Sequence, residues 1–271
     1  MRYCKTIILP ALAALVFACN PSSKKEDHKE ISGLKSGRVS KQDFGNCDTT
    51  SKGGVAVNIA MWLPADSGSI SKSISKILED KVVQRINSYA DSASVASHPE
   101  AKTSPKAAYD VFARNYNDFK KDFPEAPGCW EVTLKGDTVM VTSKALIYQL
   151  DHFSYTGGAH PNSFKSLHIF DGKSGEEKDI KSFVSDSVAL LKKVESTFKK
   201  VEKLAENADL EEQGYFLLNH KFFLPANYTF TREGIWFYYN PYEIAAYARG
   251  AIEFIIPYSE LEGIVKKELI L

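Results

Sequence analysis

WEVTLKGDTVMVTSKALIYQLD, residues 130–151, commits this chain to a sheet. Trp130 to Leu134 and Thr138 to Asp151 are apolar and β-branched runs, and Lys135-Gly136-Asp137 between them reads as a tight hairpin turn. On its amino-terminal side lie a strand, Val55 to Trp62, and two amphipathic helices. The first helix runs from about Ile70 to Ala90, with Ile70, Ile74, Ile77, Val82, Ile86 and Tyr89 on one face. The second opens on Ser104 as N-cap with Pro105 in its first turn. Its buried stripe is Ala108, Phe112, Tyr116, Phe119 and Phe123, and Pro124 and Pro127-Gly128 stop it. On the carboxy-terminal side, Ser163 to Phe170 is a strand closed by Asp171-Gly172. A third helix follows from about Asp186 to Asn207, with Leu190, Leu191, Val194, Phe198, Val201 and Leu204 inward. Asn227 to Thr231 and Ile235 to Tyr239 form a second hairpin around Glu233-Gly234, and Ala251 to Ile256 is a last strand. Ser259-Glu260-Leu261-Glu262 fits a capping box for a short terminal helix. Helices and strands come in separate blocks, so the fold class is α+β: mainly antiparallel sheet packed with about three helices.

Ahead of the folded part stands an export signal. Arg2 and Lys5 precede a short apolar run from Ile7 to Phe17, and Val16-Phe17-Ala18-Cys19 reads as a lipobox. The run is too short to span a bilayer, so residues 1–18 are a lipoprotein signal peptide and Cys19 is the lipidation site. Residues 19–46 read as a flexible tether, polar and almost without large apolar side chains until Phe44. The expected location is the cell envelope, as an outer-membrane lipoprotein that is periplasmic or surface-exposed, with lipid as the membrane attachment.

Lys plus Arg and Asp plus Glu number 34 each in 271 residues. Loss of Arg2 and Lys5 leaves the mature chain slightly acidic, which argues against nucleic acid as a partner. Hydrophobic content of 44% with 12% aromatic residues supports a substantial core. Cys4 leaves with the signal and Cys19 takes lipid, so Cys47 and Cys129 remain. In an oxidising compartment they form one disulfide or stay as a pair of buried thiols; the bridge is favoured. Closing a loop of about eighty positions is worth up to about 4 kcal/mol by the chain-entropy argument.

Two segments carry chemistry. Tyr155-Thr156-Gly157-Gly158-Ala159-His160-Pro161-Asn162 places two glycines at a sharp corner and lets His160 project from it. Asn240-Pro241-Tyr242-Glu243-Ile244-Ala245-Ala246-Tyr247-Ala248-Arg249-Gly250 joins two strands with more residues than a hairpin needs. Its Tyr and Arg side chains are good contact groups. Each segment also has a plainer reading. His160 could cap a backbone carbonyl, and Arg249 could pair with Glu243 in a connecting loop.

Together these motifs, with the order of elements around them, resemble an extracytoplasmic module of unknown function. It is found in the anti-sigma factor RsiV and in the non-catalytic part of the peptidoglycan deacetylase PdaC. The resemblance spans about residues 50–260 and implies a PdaC-like amino-terminal half (47–165) and an RsiV-like carboxy-terminal half (166–271). It also implies lysozyme recognition, the property of the RsiV module. An anti-sigma role is not expected, because a cleaved signal and lipid stand where that sensor has a membrane helix and a sigma-binding segment. A deacetylase role is not expected either, for want of the separate metal-dependent domain.

The expected function is therefore an envelope binding module for cell-wall glycan or a glycan-cleaving protein such as lysozyme. The ligand-binding candidates are Tyr155, Gly157, Gly158, His160, Asn162, Tyr242, Glu243 and Arg249. The alternative is a polysaccharide-acting enzyme with His160 and Glu243 as acid and base. His152, His160 and His168 recur every eight residues without the companion ligands of a metal site, so neither metal nor cofactor is expected. Trp236 to Tyr239 offers aromatic rings that could stack on sugars, about half of them destined for the core by strand alternation.

Overall fold

The structure is a computed structural model that describes residues 34, 36–48, 53–126 and 128–271. The expected signal peptide, the expected lipidation site Cys19 and most of the expected tether lie outside those residues.

Among the described residues, nine strands form two sheets. The larger contains β1 (Gly37–Asp48), β2 (Gly53–Pro64), β3 (Trp130–Val141), β4 (Ala145–Tyr155), β5 (Asn162–Asp171) and β6 (Glu177–Lys178), in that spatial order. All its neighbours are antiparallel except β2 and β3, which run parallel. A parallel pair needs a long crossover, and three helices supply it: α1 (Ser69–Asn87), α2 (Ser92–Ser97) and α3 (Pro105–Asp122). The smaller sheet is β7 (Asn227–Phe230), β8 (Gly234–Tyr239) and β9 (Ile252–Pro257), all antiparallel. Helix α4 (Ser187–Val201) packs with it. The α+β class, with antiparallel pairing dominant, is what the sequence predicts.

Alternation along β4 splits the interior in two. Leu146, Tyr148 and Leu150 point one way, into a core with Ile70, Ile74, Leu78, Val82 and Ile86 of α1 and Phe112 of α3. Ala145 and Ile147 point the other way, against Leu190, Val194 and Phe198 of α4 and Phe237 and Tyr239 of β8. The larger sheet is thus the middle layer. The Ser104 N-cap is present, with its hydroxyl accepting from the Ala107 amide at 3.2 Å, and Asp186 caps α4 in the same way.

Several expectations need correction. The turn at Lys135-Gly136-Asp137 does not exist: β3 runs through it, and the chain reverses at Thr142 to Lys144. Gly136 is there for close approach. A Cβ on it would lie 2.1 Å from the Tyr148 hydroxyl, which donates to the Trp62 carbonyl at 2.9 Å. Residues 37–46 are not tether but β1, the edge strand. Most of its side chains are exposed, so it joins the sheet by backbone pairing and leaves no hydrophobic signature.

The boundary drawn at 165/166 falls inside β5, and the larger sheet continues to Lys178. Helix α4 ends at Val201 rather than Asn207, because Lys203 adopts φ 58°. The Leu204 and Lys203 amides then return to the Lys199 and Lys200 carbonyls at 2.8 and 3.1 Å, a Schellman closure without its usual glycine. Val201 is left exposed. The terminal capping box makes only 3₁₀ turns, at Tyr258–Glu260 and Lys267–Leu269. Cys47 and Cys129 are disulfide-bonded, with Cα atoms 5.6 Å apart, which ties edge strand β1 to the entrance of β3.

Among the described residues, no helix is long and apolar enough to cross a membrane.

Candidate functional site

The glycine turn and the Asn-Pro-Tyr segment, far apart in sequence, meet in space. Gly157 and Gly158 sit at φ 95° and 100°. A Cβ on either would meet open space, so backbone conformation rather than crowding requires glycine there. The Tyr155 hydroxyl donates to the Gly158 carbonyl at 3.1 Å and ties the turn closed. His160 Nδ1 lies 3.0 Å from the Pro161 carbonyl. A carbonyl can only accept, so Nδ1 carries a proton, and the second ring nitrogen, Nε2, faces Tyr242. The Tyr242 hydroxyl stands 3.1 Å from that nitrogen.

Tyr247 completes a three-ring cluster. Its ring stacks on His160 at 3.9 Å with an interplanar angle of 12°, and it lies 5.4 Å from Tyr242. Its hydroxyl donates to the Pro161 carbonyl at 2.9 Å, which fixes the same corner a second time. Tyr242 is 53% exposed and sits at φ 69°, a conformation costly for a bulky side chain. An aromatic ring held outward on a strained backbone is arranged for contact rather than for core packing.

The other candidates divide. Asn162 is exposed where β5 leaves the turn, its backbone paired with Ser154. Glu243 is near the rings in sequence but is committed to scaffolding: its carboxylate accepts from the Asn240 amide at 2.8 Å and from the Ala226 amide. Arg249 does not pair with Glu243. Its guanidinium reaches Glu202 at 2.9 Å and lies 4.4 Å over the Tyr215 ring, bracing the end of α4. Tyr247 was missed as a contact residue, although it stands in the quoted segment. Asn240 was missed too. Its side chain accepts from the Lys165 amide at 2.6 Å and donates to the Lys165 carbonyl at 3.0 Å. Asn227 accepts from the Leu167 amide at 3.1 Å. These two asparagines cover the β5 edge beyond the reach of β6 and dock the smaller sheet there.

A second aromatic surface flanks the larger sheet on the face away from α1. Lys165 Nζ lies 5.5 Å from both the Trp236 and Tyr238 ring centres and pairs with Asp151. The Trp236 indole donates to Glu253 at 2.8 Å. Tyr238, Phe153, Thr133, Lys135 and Asp151 line a cavity of about 490 Å³ beside them. Burial, reinforced by Glu253 and Asp151, raises the Tyr238 pKa and keeps its hydroxyl protonated. Phe237 and Tyr239 point into the core, as alternation predicts.

His152 and His168 meet each other through Ser166 and do not meet His160. Among the described residues, no three His, Cys, Asp or Glu side chains gather closely enough to hold a metal ion.

Residues 178–259 match the family described as a protein of unknown function, DUF3298. Two solved structures carry the same fold. A DUF3298 family member from Bacteroides fragilis aligns with a TM-score of 0.63 at 19% identity, over 86% of this chain and 96% of that one. A DUF3298 family protein from Pseudomonas aeruginosa aligns with a TM-score of 0.58 at 19% identity, over 88% and 99%. No curated protein is significantly similar in sequence. The chain thus carries a DUF3298 match in its carboxy-terminal part, on a fold shared with proteins of that family.

Proposed function

We propose that this chain is a binding module of the cell envelope, anchored by lipid at Cys19, that recognises cell-wall glycan or a glycan-cleaving protein such as lysozyme. The observation that carries the reading is the convergence of the two motif loops on the His160, Tyr242 and Tyr247 rings, with Tyr242 exposed and strained. Exposed aromatic faces with polar tips suit both sugar stacking and protein contact. The lipobox favours the envelope, and the likeness of the two motifs to the RsiV module favours lysozyme among protein partners. Glu243 has both oxygens on backbone amides, which weighs against an acid–base pair with His160.

The test uses the mature chain with Cys19→Ala, in cosedimentation with purified peptidoglycan and in surface plasmon resonance against lysozyme. Saturable binding to one of them is expected, weakened at least about tenfold by Tyr242→Asn, the loss of a contact anchor. Asn tolerates positive φ, so the loop should survive that change. Absence of binding to both, with the protein folded, would overturn the reading.

A further inference from the structure

A polar chain, buried at His152 and partly exposed at Ser166, His168 and Glu177, runs across the other face of the larger sheet, under α1. Ser166 and His168 are two positions apart on β5 and so share a face, and Glu177 follows on β6. His168 Nδ1 lies 2.7 Å from Glu177 Oε1, and His168 Nε2 lies 2.9 Å from Ser166 Oγ. Ser166 Oγ is also 3.1 Å from His152 Nε2, and the other Glu177 oxygen is 2.8 Å from Lys81 Nζ.

One arrangement of protons satisfies these contacts. A carboxylate only accepts, so His168 Nδ1–H donates to Glu177. The bare Nε2 then accepts the Ser166 hydroxyl proton, and His152 Nε2–H donates to the serine oxygen. That leaves His152 Nδ1 without a partner, on a side chain 4% exposed. Burial would raise the Glu177 pKa, but hydrogen bonds from His168 and Lys81 outweigh it and bring it to about 2. Glu177 is therefore ionised throughout the working range and fixes the His168 tautomer.

We infer that Ser166, His168 and Glu177 form a hydrolytic triad for short-chain carboxylic esters. Nucleophile, base and orienting carboxylate stand in the relation that acyl transfer requires. Ser166 and His168 open onto a cavity of about 200 Å³ shared with Gln84, Arg85 and Leu150. That volume is below the range of drug-sized ligand sites and suits an acyl group of few carbons. The Arg85 guanidinium, held 4.1 Å from the Phe164 ring centre, and the Gln84 amide are the donors at hand for a developing oxyanion.

In the reaction, Ser166 Oγ attacks the ester carbonyl while its proton passes to His168 Nε2. The carbon–oxygen bond to the alcohol then breaks, and the alcohol leaves with that proton. Water attacks the acyl-serine, gives its proton to His168, and the serine oxygen recovers it as the carboxylic acid departs. The site lies apart from the His160 and Tyr242 surface and does not depend on its ligand.

The experiment exposes the mature Cys19→Ala chain at pH 8 to a fluorophosphonate, which forms an oxygen–phosphorus bond to an activated serine with loss of fluoride. The adduct is then located by mass spectrometry, and p-nitrophenyl acetate hydrolysis is followed in parallel. The expected result is labelling at Ser166, absent in Ser166→Ala and at least about a hundredfold slower in His168→Gln, the scale of general-base loss. Ser163→Ala, exposed on the same strand, should label normally. Circular dichroism establishes that each variant is folded. A folded wild type that does not label at Ser166, or hydrolysis that persists in Ser166→Ala, would overturn the inference. A fold-only role for these three residues predicts that result.

Discussion

Gly136 and His152 show how much a single position constrains this protein. Gly136 reads as a turn residue, yet it lies mid-strand because the Tyr148 hydroxyl and the Met61 thioether occupy the space of its missing side chain. Gly136→Ala should cost about 1–3 kcal/mol, the range for overpacking. Adding Tyr148→Phe removes the clashing oxygen and should recover part of the loss, read as a positive coupling in urea unfolding of the double-mutant cycle. At His152, burial, with smaller contributions from Arg85, His168 and Lys165, pushes the pKa down to about 3. The unfolded chain takes up that proton near pH 6.5 and the folded one does not. Stability contributed by neutral His152 is therefore full above pH 6.5 and is lost as pH falls towards 3, at up to about 1.4 kcal/mol per unit. His168 and Glu177 also have lowered pKa values and act with the same sign. The melting temperature should drop from pH 7 to pH 5, and His152→Gln should flatten that drop. An unchanged slope in the variant would assign the acid sensitivity elsewhere.

Elements assemble here through edges as much as through faces. Strand β5 has β4 on one side and only two residues of β6 on the other. Its remaining free edge is covered by side chains, Asn240 on Lys165 and Asn227 on Leu167. Asn240→Ala removes two hydrogen bonds at a half-buried junction and should destabilise by about 1–3 kcal/mol. Faster amide exchange at Lys165 than at residues paired with β4 would report the opened edge, and protection unchanged there would refute the docking role. The amphipathic helices and the second hairpin were legible as patterns, because each buries one apolar stripe or ends in a turn with its own chemistry. Strand β1 and the Schellman end of α4 were not. An edge strand can pair through backbone alone, and Lys203 takes a left-handed conformation that residue type does not announce.

At the scale of the whole molecule, one sheet serves two cores. Leu146 and Ile147 are neighbours on β4, both fully buried, one in each core. A single cooperative unfolding transition is expected in calorimetry. Leu146→Ala and Ile147→Ala should both lower it, each by about 2–5 kcal/mol. Two transitions, each moved by only one variant, would show that the halves fold independently.

The candidate site was legible in part for the same reason. Glycines at a corner and a Tyr-rich loop stand out as residues, but whether His160 meets Tyr242 depends on how β5 and the smaller sheet dock. Local pattern alone carried the α+β class, the helix starts at Ser104 and Asp186, and the hairpin before Gly234, because periodicity, caps and turns act over a few residues. Long-range packing settled the passage of β3 through Gly136, the pairing of β1, the diversion of Arg249 to Glu202 and the meeting of His152, Ser166, His168 and Glu177. Each of those depends on atoms brought together from separate elements, and no short-range signal encodes such a contact.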